Sequence, residues 1–194
     1  AVSIEPTDGT LLPGITLLDH VAGRWRLPLG GAPAGKILAL DFGGQVDTLE
    51  FNSLPELATK NSANERLTRE AFHLVRRGIQ EKNLAILGNG TTRSARANQS
   101  ILHKPLLPEL EAWGRNRGSF GVIAAHSGTV LGLIYPGNRD LGKEAMQVKI
   151  DFPSIEGCWA LEFAQGGVKV VKPGAGAWRE FTGSQAGIRG FGLS

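Results

Sequence analysis

A single cysteine, Cys158, stands among 194 residues. One thiol excludes an internal disulfide framework and fits a reducing compartment, so the cytoplasm is the expected location. No run of about 18 apolar residues occurs, which excludes a membrane-spanning helix. The opening AVSIEPTDG has neither the basic region nor the apolar core of a secretory signal. Basic runs are also missing. The chain carries 21 basic and 18 acidic residues for a net charge of +3, densest at Arg76–Arg77 and Arg93/Arg96. A nucleic-acid partner needs a concentrated stripe with interleaved aromatics, so neither nucleic acid nor membrane is an expected partner. The four histidines do not fall at metal-ligand spacing, and no protein-held metal is expected. Cys158 sits beside Trp159 without a sequence-near base, as an apolar filler would.

What is present is globular: 41% hydrophobic and 20% charged residues, in a length that suits one domain. The expected organisation is a domain over 1–150, terminal strands of that domain over 151–172, and a poorly ordered glycine-rich tail over 173–194.

The stretch GGAPAGKI, Gly30 to Ile37, nearly spells the phosphate loop GxxxxGK[ST]. Ile37 replaces the hydroxyl that magnesium needs, and KILALDF after the glycines predicts a buried strand where the loop needs a helix. GGAPAGK is therefore expected to join two strands. Trp25, Leu27 and Leu29 alternate with Arg24, Arg26 and Pro28, which predicts a half-exposed strand over 24–29, paired with a strand over 36–42.

Residues 54–60 read as a loop or short helical turn. From Ser62, Leu67, Phe72, Leu74, Val75 and Ile79 recur at helical spacing until Gly78 marks an end. A second helix is expected over Leu84–His103. A third follows Pro105, with Leu107, Leu110 and Trp113 inward. FGVIAAH and VLGLIY predict strands joined by an SGT turn. A short helix near 139–147 and strands at WALEF and VKVV complete the pattern. Hairpin strands interleaved with helices predict an α+β two-layer sandwich, an antiparallel sheet with helices on one face.

Several groups could carry chemistry. Glu5, Thr7, Asp8 and Thr10 place two carboxylates and two hydroxyls in one loop, able to hold a metal, to orient a substrate hydroxyl or simply to cap a helix. Asp19–His20 are either an acid–base pair or an exposed pair at a strand end, and Asp47–Thr48 either bind a ligand or form a turn. Asn98 and Gln99 offer paired donors and acceptors to an amino-acid or sugar ligand, or lie on a solvated helix face. Ser127-Gly128-Thr129, behind His126, forms an anion cradle or an ordinary hairpin turn.

Four blocks in order, SIEPTDGTLLPGITLLDH, KILALDFGGQVDTLEFN, SARANQSILHKP and GVIAAHSGTVLGL, resemble the C-terminal portion of the L-threonine kinases of cobalamin synthesis. These are a branch of the galactokinase, homoserine kinase, mevalonate kinase and phosphomevalonate kinase (GHMP) superfamily. The likeness runs from about residue 2 to about residue 136. It implies a ferredoxin-like domain and phosphorylation of the L-threonine hydroxyl, with ATP and Mg2+ as cofactors. On this likeness Asp8 is the catalytic residue, with Glu5 and Thr7 at the substrate. His126, Ser127, Gly128 and Thr129 correspond to the glycine-rich third motif, and Asn98 and Gln99 match a motif of the branch; all six are expected at the substrate.

The superfamily's ATP loop, PxxxGLGSS, has no counterpart in this sequence. The chain is accordingly expected to be a piece lacking the ATP half, with self-association through the face left by that half. The alternatives are a kinase of a homoserine-like acceptor and a non-catalytic binding module.

Overall fold

The computed structural model describes residues 12–19, 22–24, 26–44, 54–125 and 128–167. A hairpin opens it, β1 (Ile15–Leu18) antiparallel to β2 (Arg26–Gly30). The main sheet holds β3 (Gly35–Asp41), β4 (Gly121–Ala124), β5 (Val130–Pro136) and β6 (Gly157–Glu162), ordered β4-β5-β3-β6 with every neighbour antiparallel. Counted along the chain from β3, the order across the sheet is second, third, first, fourth. That is the split β-α-β pattern of a ferredoxin-like fold. The first crossover carries α1 (Leu57–Ala63), α2 (Glu65–Gln80), α3 (Leu84–Ala97) and α4 (Leu107–Arg115); the second carries α5 (Gly142–Asp151).

Leu38 and Leu40 of β3, Val122 of β4, and Leu131, Leu133 and Tyr135 of β5 form one wall of the main core. Leu107, Leu110 and Trp113 of α4 and Val148 of α5 form the other. This is the two-layer, antiparallel α+β arrangement the sequence predicts. Each fully buried leucine contributes about 2 kcal/mol of apolar transfer free energy, so this layer holds the domain together. A second cluster joins Leu29 of β2, Ile79 of α2 and Leu87 of α3, with Ile15 and Leu17 of β1 packed against it.

Two expectations need correction. The segment 31–34 does join strands, but β2 pairs with β1 rather than with β3. Both edges of β3 are already occupied, by β5 and by β6, so no edge remains for β2. Gly78 does not end its helix, which continues to Gln80. A Cβ at Gly78 would stand 2.5 Å from the Leu87 amide nitrogen. The glycine is there to let α2 and α3 touch, and that contact outweighs its propensity cost of about 1 kcal/mol.

Helix boundaries shift for local reasons. Asn83 caps α3, its side-chain oxygen accepting from the Ala85 and Ile86 amides. The helix expected to reach His103 stops at Ala97 and tightens into a 3-10 turn over Asn98–Ser100. The 54–60 region resolves into α1, and the helix expected near 139–147 runs from Gly142 to Asp151. WALEF falls mainly within β6. VKVV and the tail over 173–194 lie outside the described residues.

Candidate functional site

At one end of the sheet β3 runs out and β5 begins, and Asp41 and Val130 face each other in register there. The Thr129 hydroxyl donates to Asp41 Oδ1 at 2.7 Å, and the Gly43 amide donates to the same oxygen at 3.1 Å. One carboxylate oxygen thus fixes both the exit of β3 and the entry of β5.

The segment after α3 closes over this end. Gln99 makes the turn: its Oε1 accepts from the Lys104 amide at 2.7 Å and its Nε2 donates to the Lys104 carbonyl at 2.9 Å. This pair of bonds imitates a backbone ladder and ends the helix early. With its backbone held, Lys104 turns inward and is only 7% exposed. Its Nζ donates to the Gly128 carbonyl at 2.5 Å. Burial lowers the pKa of the Lys104 amine from its ordinary value.

Lys104, Gly128 and Thr129 line an open pocket of about 510 Å3, whose apolar walls include Phe42, Leu106 and Leu131. Such a pocket combines one buried ammonium, the hydroxyls of Thr129 and Ser154 and the imidazole of His103 with a largely apolar surround. That combination is suited to a small ligand bearing an oxyanion and an apolar part.

A larger hollow of about 660 Å3 lies beside β4, between α3 and α4. Its charges already satisfy one another. Arg96 and Arg115 both bind the buried Glu111 carboxylate, and Arg93 meets Glu70 and Asn89. The Lys104 pocket is the better candidate because its charge has no such partner among the described residues.

Of the residues singled out in the sequence, Gly128 and Thr129 line the pocket. Gln99 stands behind it as the support of Lys104. Asn98 is buried at the end of α3, its carbonyl accepting from the Ile101 and Leu102 amides. Glu5, Thr7, Asp8, His20, Asp47, Thr48, His126 and Ser127 lie outside the described residues. Asp19 forms a turn, accepting from the Ala22 and Arg24 amides, and the Ala22 bond leads the lowering of its pKa. Cys158 is half-buried against the core, and burial raises its thiol pKa, which agrees with a filler role.

Asp41 and Lys104 were not among the sequence candidates. Both lie inside motif blocks, Asp41 in LALDFGG and Lys104 in ILHKP. The signal for Lys104 was a lysine held between His103 and Pro105 in an otherwise apolar stretch, Ile101-Leu102 before it and Leu106-Leu107 after it. Among the described residues no group of three or more His, Cys, Asp and Glu side chains converges on a possible metal position. None of the helices among these residues is long and apolar enough to cross a membrane.

No protein-family profile matches the chain. It is 30% identical over 174 residues to an L-threonine kinase of Salmonella typhimurium, a match covering 87% of this chain and 57% of the relative. It is 32% identical over 138 residues to an L-threonine kinase of Citrobacter freundii, covering 71% of this chain and 48% of the relative. The chain therefore spans about half the length of the curated relatives it matches.

Among solved structures, L. major mevalonate kinase in complex with R-mevalonate superposes with a TM-score of 0.59 and 14% identity, over 74% of this chain and 47% of that one. Homoserine kinase from Cytophaga hutchinsonii superposes with a TM-score of 0.56 and 16% identity, over 82% and 51%. These likenesses establish the fold, shared with part of two GHMP kinases.

Proposed function

We propose that this chain is the acceptor-side part of an ATP-dependent L-threonine kinase that makes O-phospho-L-threonine for cobalamin synthesis in the cytoplasm. The observation that carries the reading is the 30% identity to an L-threonine kinase over 174 residues, on a ferredoxin-like sheet shared with GHMP kinases. Phosphoryl transfer asks little covalent chemistry of a protein. It asks for alignment of the acceptor oxygen and compensation of charge.

In this reading Asp8 accepts or orients the acceptor hydroxyl proton, with Glu5 and Thr7 beside it. His126, Ser127, Gly128 and Thr129 form the loop at the substrate, set by the Thr129–Asp41 bond. Asn98 and Gln99 are placed at the substrate in this reading, and Gln99 also holds the turn that delivers Lys104.

ATP and Mg2+ are the cofactors of the proposed reaction, but the described residues do not build a cradle for them. GGAPAGKI runs from strand to strand, so it aims no helix N-terminus at a phosphate. The same reading includes self-association of two copies through the sheet face where Trp159 and Leu161 of β6 stand 46% and 49% exposed. Sedimentation of the chain tests that part: a dimer that Trp159→Ser reduces to a monomer agrees, and a monomer at all concentrations refutes it.

The activity is tested by ADP release from the protein expressed from its complete gene, with L-threonine, L-homoserine and mevalonate as acceptors. L-Threonine is expected to raise the rate most. A rate independent of L-threonine overturns the assignment, and a larger response to L-homoserine reassigns the acceptor.

A further inference from the structure

Lys104 presents a physical problem that its contacts with the described residues do not solve. An ammonium group taken out of water needs either a counter-charge or a full set of acceptors. Its residue is 7% exposed, and its one hydrogen bond from Nζ among the described residues goes to a neutral carbonyl, that of Gly128. None of the described carboxylates lies within ion-pair distance of it; the ion pairs among the described residues involve other lysines and arginines. Asp41, nearest by connectivity, is engaged by Thr129 and Gly43.

The protein also keeps this side chain inward by construction. Both backbone polar groups of Lys104 are held by the Gln99 amide, and Pro105 follows directly. A flexible lysine would otherwise extend its head to solvent, since its long stem allows that at little cost. Here the head is retained beside the open pocket of about 510 Å3 whose other walls are largely apolar.

We infer that Lys104 is the anion anchor of this pocket, binding a ligand oxyanion, either an amino-acid carboxylate or a phosphoryl group, through N–H bonds not used on Gly128. A lysine ammonium has three donors, and one is spent on the Gly128 carbonyl. That first bond also ties the anchor to the turn carrying Thr129, so ligand binding and the geometry of that turn are coupled. Gln99 is a positioning residue for Lys104. The inference deepens the kinase reading and rests on it for the two candidate sources of the anion.

The test uses the 194-residue chain with 13C-labelled lysine. The Lys104 Cε–Hε signal, identified by its loss in Lys104→Met, is followed while L-threonine is added to one sample and inorganic phosphate to another. At least one is expected to move the signal saturably and to raise the pH at which it titrates. In calorimetry, Lys104→Met is expected to weaken binding of that anion by about tenfold or more, while Lys104→Arg retains most of it.

A response to phosphate alone assigns the anchor to a phosphoryl group, and a response to L-threonine alone assigns it to the acceptor carboxylate. A Lys104 signal unmoved by both overturns the inference, as does Lys104→Met binding as tightly as the unchanged chain. Should Lys104→Met misfold, the signal of the unchanged chain, assigned instead through Lys104→Arg, decides alone. A Lys104 response to phosphate in a protein that shows no L-threonine-dependent ADP release defeats the kinase reading and leaves the anchor standing.

Discussion

The Thr129 hydroxyl donates to Asp41 Oδ1 at 2.7 Å, linking the start of β5 to the end of β3 across the mouth of the Lys104 pocket. Asp41 also receives the Gly43 amide, so the bond is one of two that hold the two strand ends in place. Thr129→Val preserves shape and removes the donor. A hydrogen bond to a carboxylate contributes about 1.5–3 kcal/mol, so the variant is expected to lose stability of about that size. Denaturant unfolding measures it, and a loss below about 0.5 kcal/mol would show that water replaces the hydroxyl fully.

Tyr135 of β5 places its hydroxyl in the main core without a hydrogen-bond partner among the described residues. Burial, with the Glu144 charge second, pushes its phenol pKa up to about 12. A buried hydroxyl without a partner costs about 1–3 kcal/mol, and Tyr135→Phe removes it without opening a cavity larger than one oxygen. The variant is expected to unfold at a higher temperature than the unchanged chain. A lower midpoint means that the hydroxyl is satisfied in solution.

Asp151 ends α5 and accepts from Trp113 Nε1 at 2.6 Å and from Gln147 at 2.8 Å, with the Arg117 guanidinium at 3.3 Å. The Trp113 bond, then the Gln147 bond, hold its pKa below the ordinary carboxylate value. A carboxyl with a depressed folded-state pKa contributes stability that is complete above its unfolded-state value of 3.8. That contribution disappears as the pH falls through the folded-state value. Thermal unfolding from about pH 6 down to about pH 2 is expected to show a steeper acid loss for the unchanged chain than for Asp151→Asn. Parallel curves would remove Asp151 from the account of acid stability.

The parts of the fold legible in the sequence are those whose causes are local. The Gly121–Pro136 hairpin is marked by β-branched runs around a glycine turn, and α4 by Pro105 and the inward spacing of Leu107, Leu110 and Trp113. The pairing of β2 was not legible, because it depends on β6 reaching β3 from more than a hundred residues away. Gly78 misled for a related reason: its purpose lies in the Leu87 backbone, on another helix.

The site shows the same division. Gly128 and Thr129, singled out in the sequence through a glycine-turn motif, line the candidate pocket. Lys104 was missed because nothing adjacent in sequence reveals that Gln99 turns it inward or that Gly128 receives it. Its chemistry comes from burial, which a single lysine code does not display.

The central claim is that this chain handles the acceptor for phosphoryl transfer to L-threonine. The most direct measurement is 31P NMR of the protein expressed from its complete gene, incubated with ATP, Mg2+ and L-threonine. The account predicts a new phosphomonoester signal that coincides with added O-phospho-L-threonine and grows in step with ADP. Consumption of ATP with no such signal, or the same signal at equal rate from L-homoserine and none from L-threonine, would contradict it.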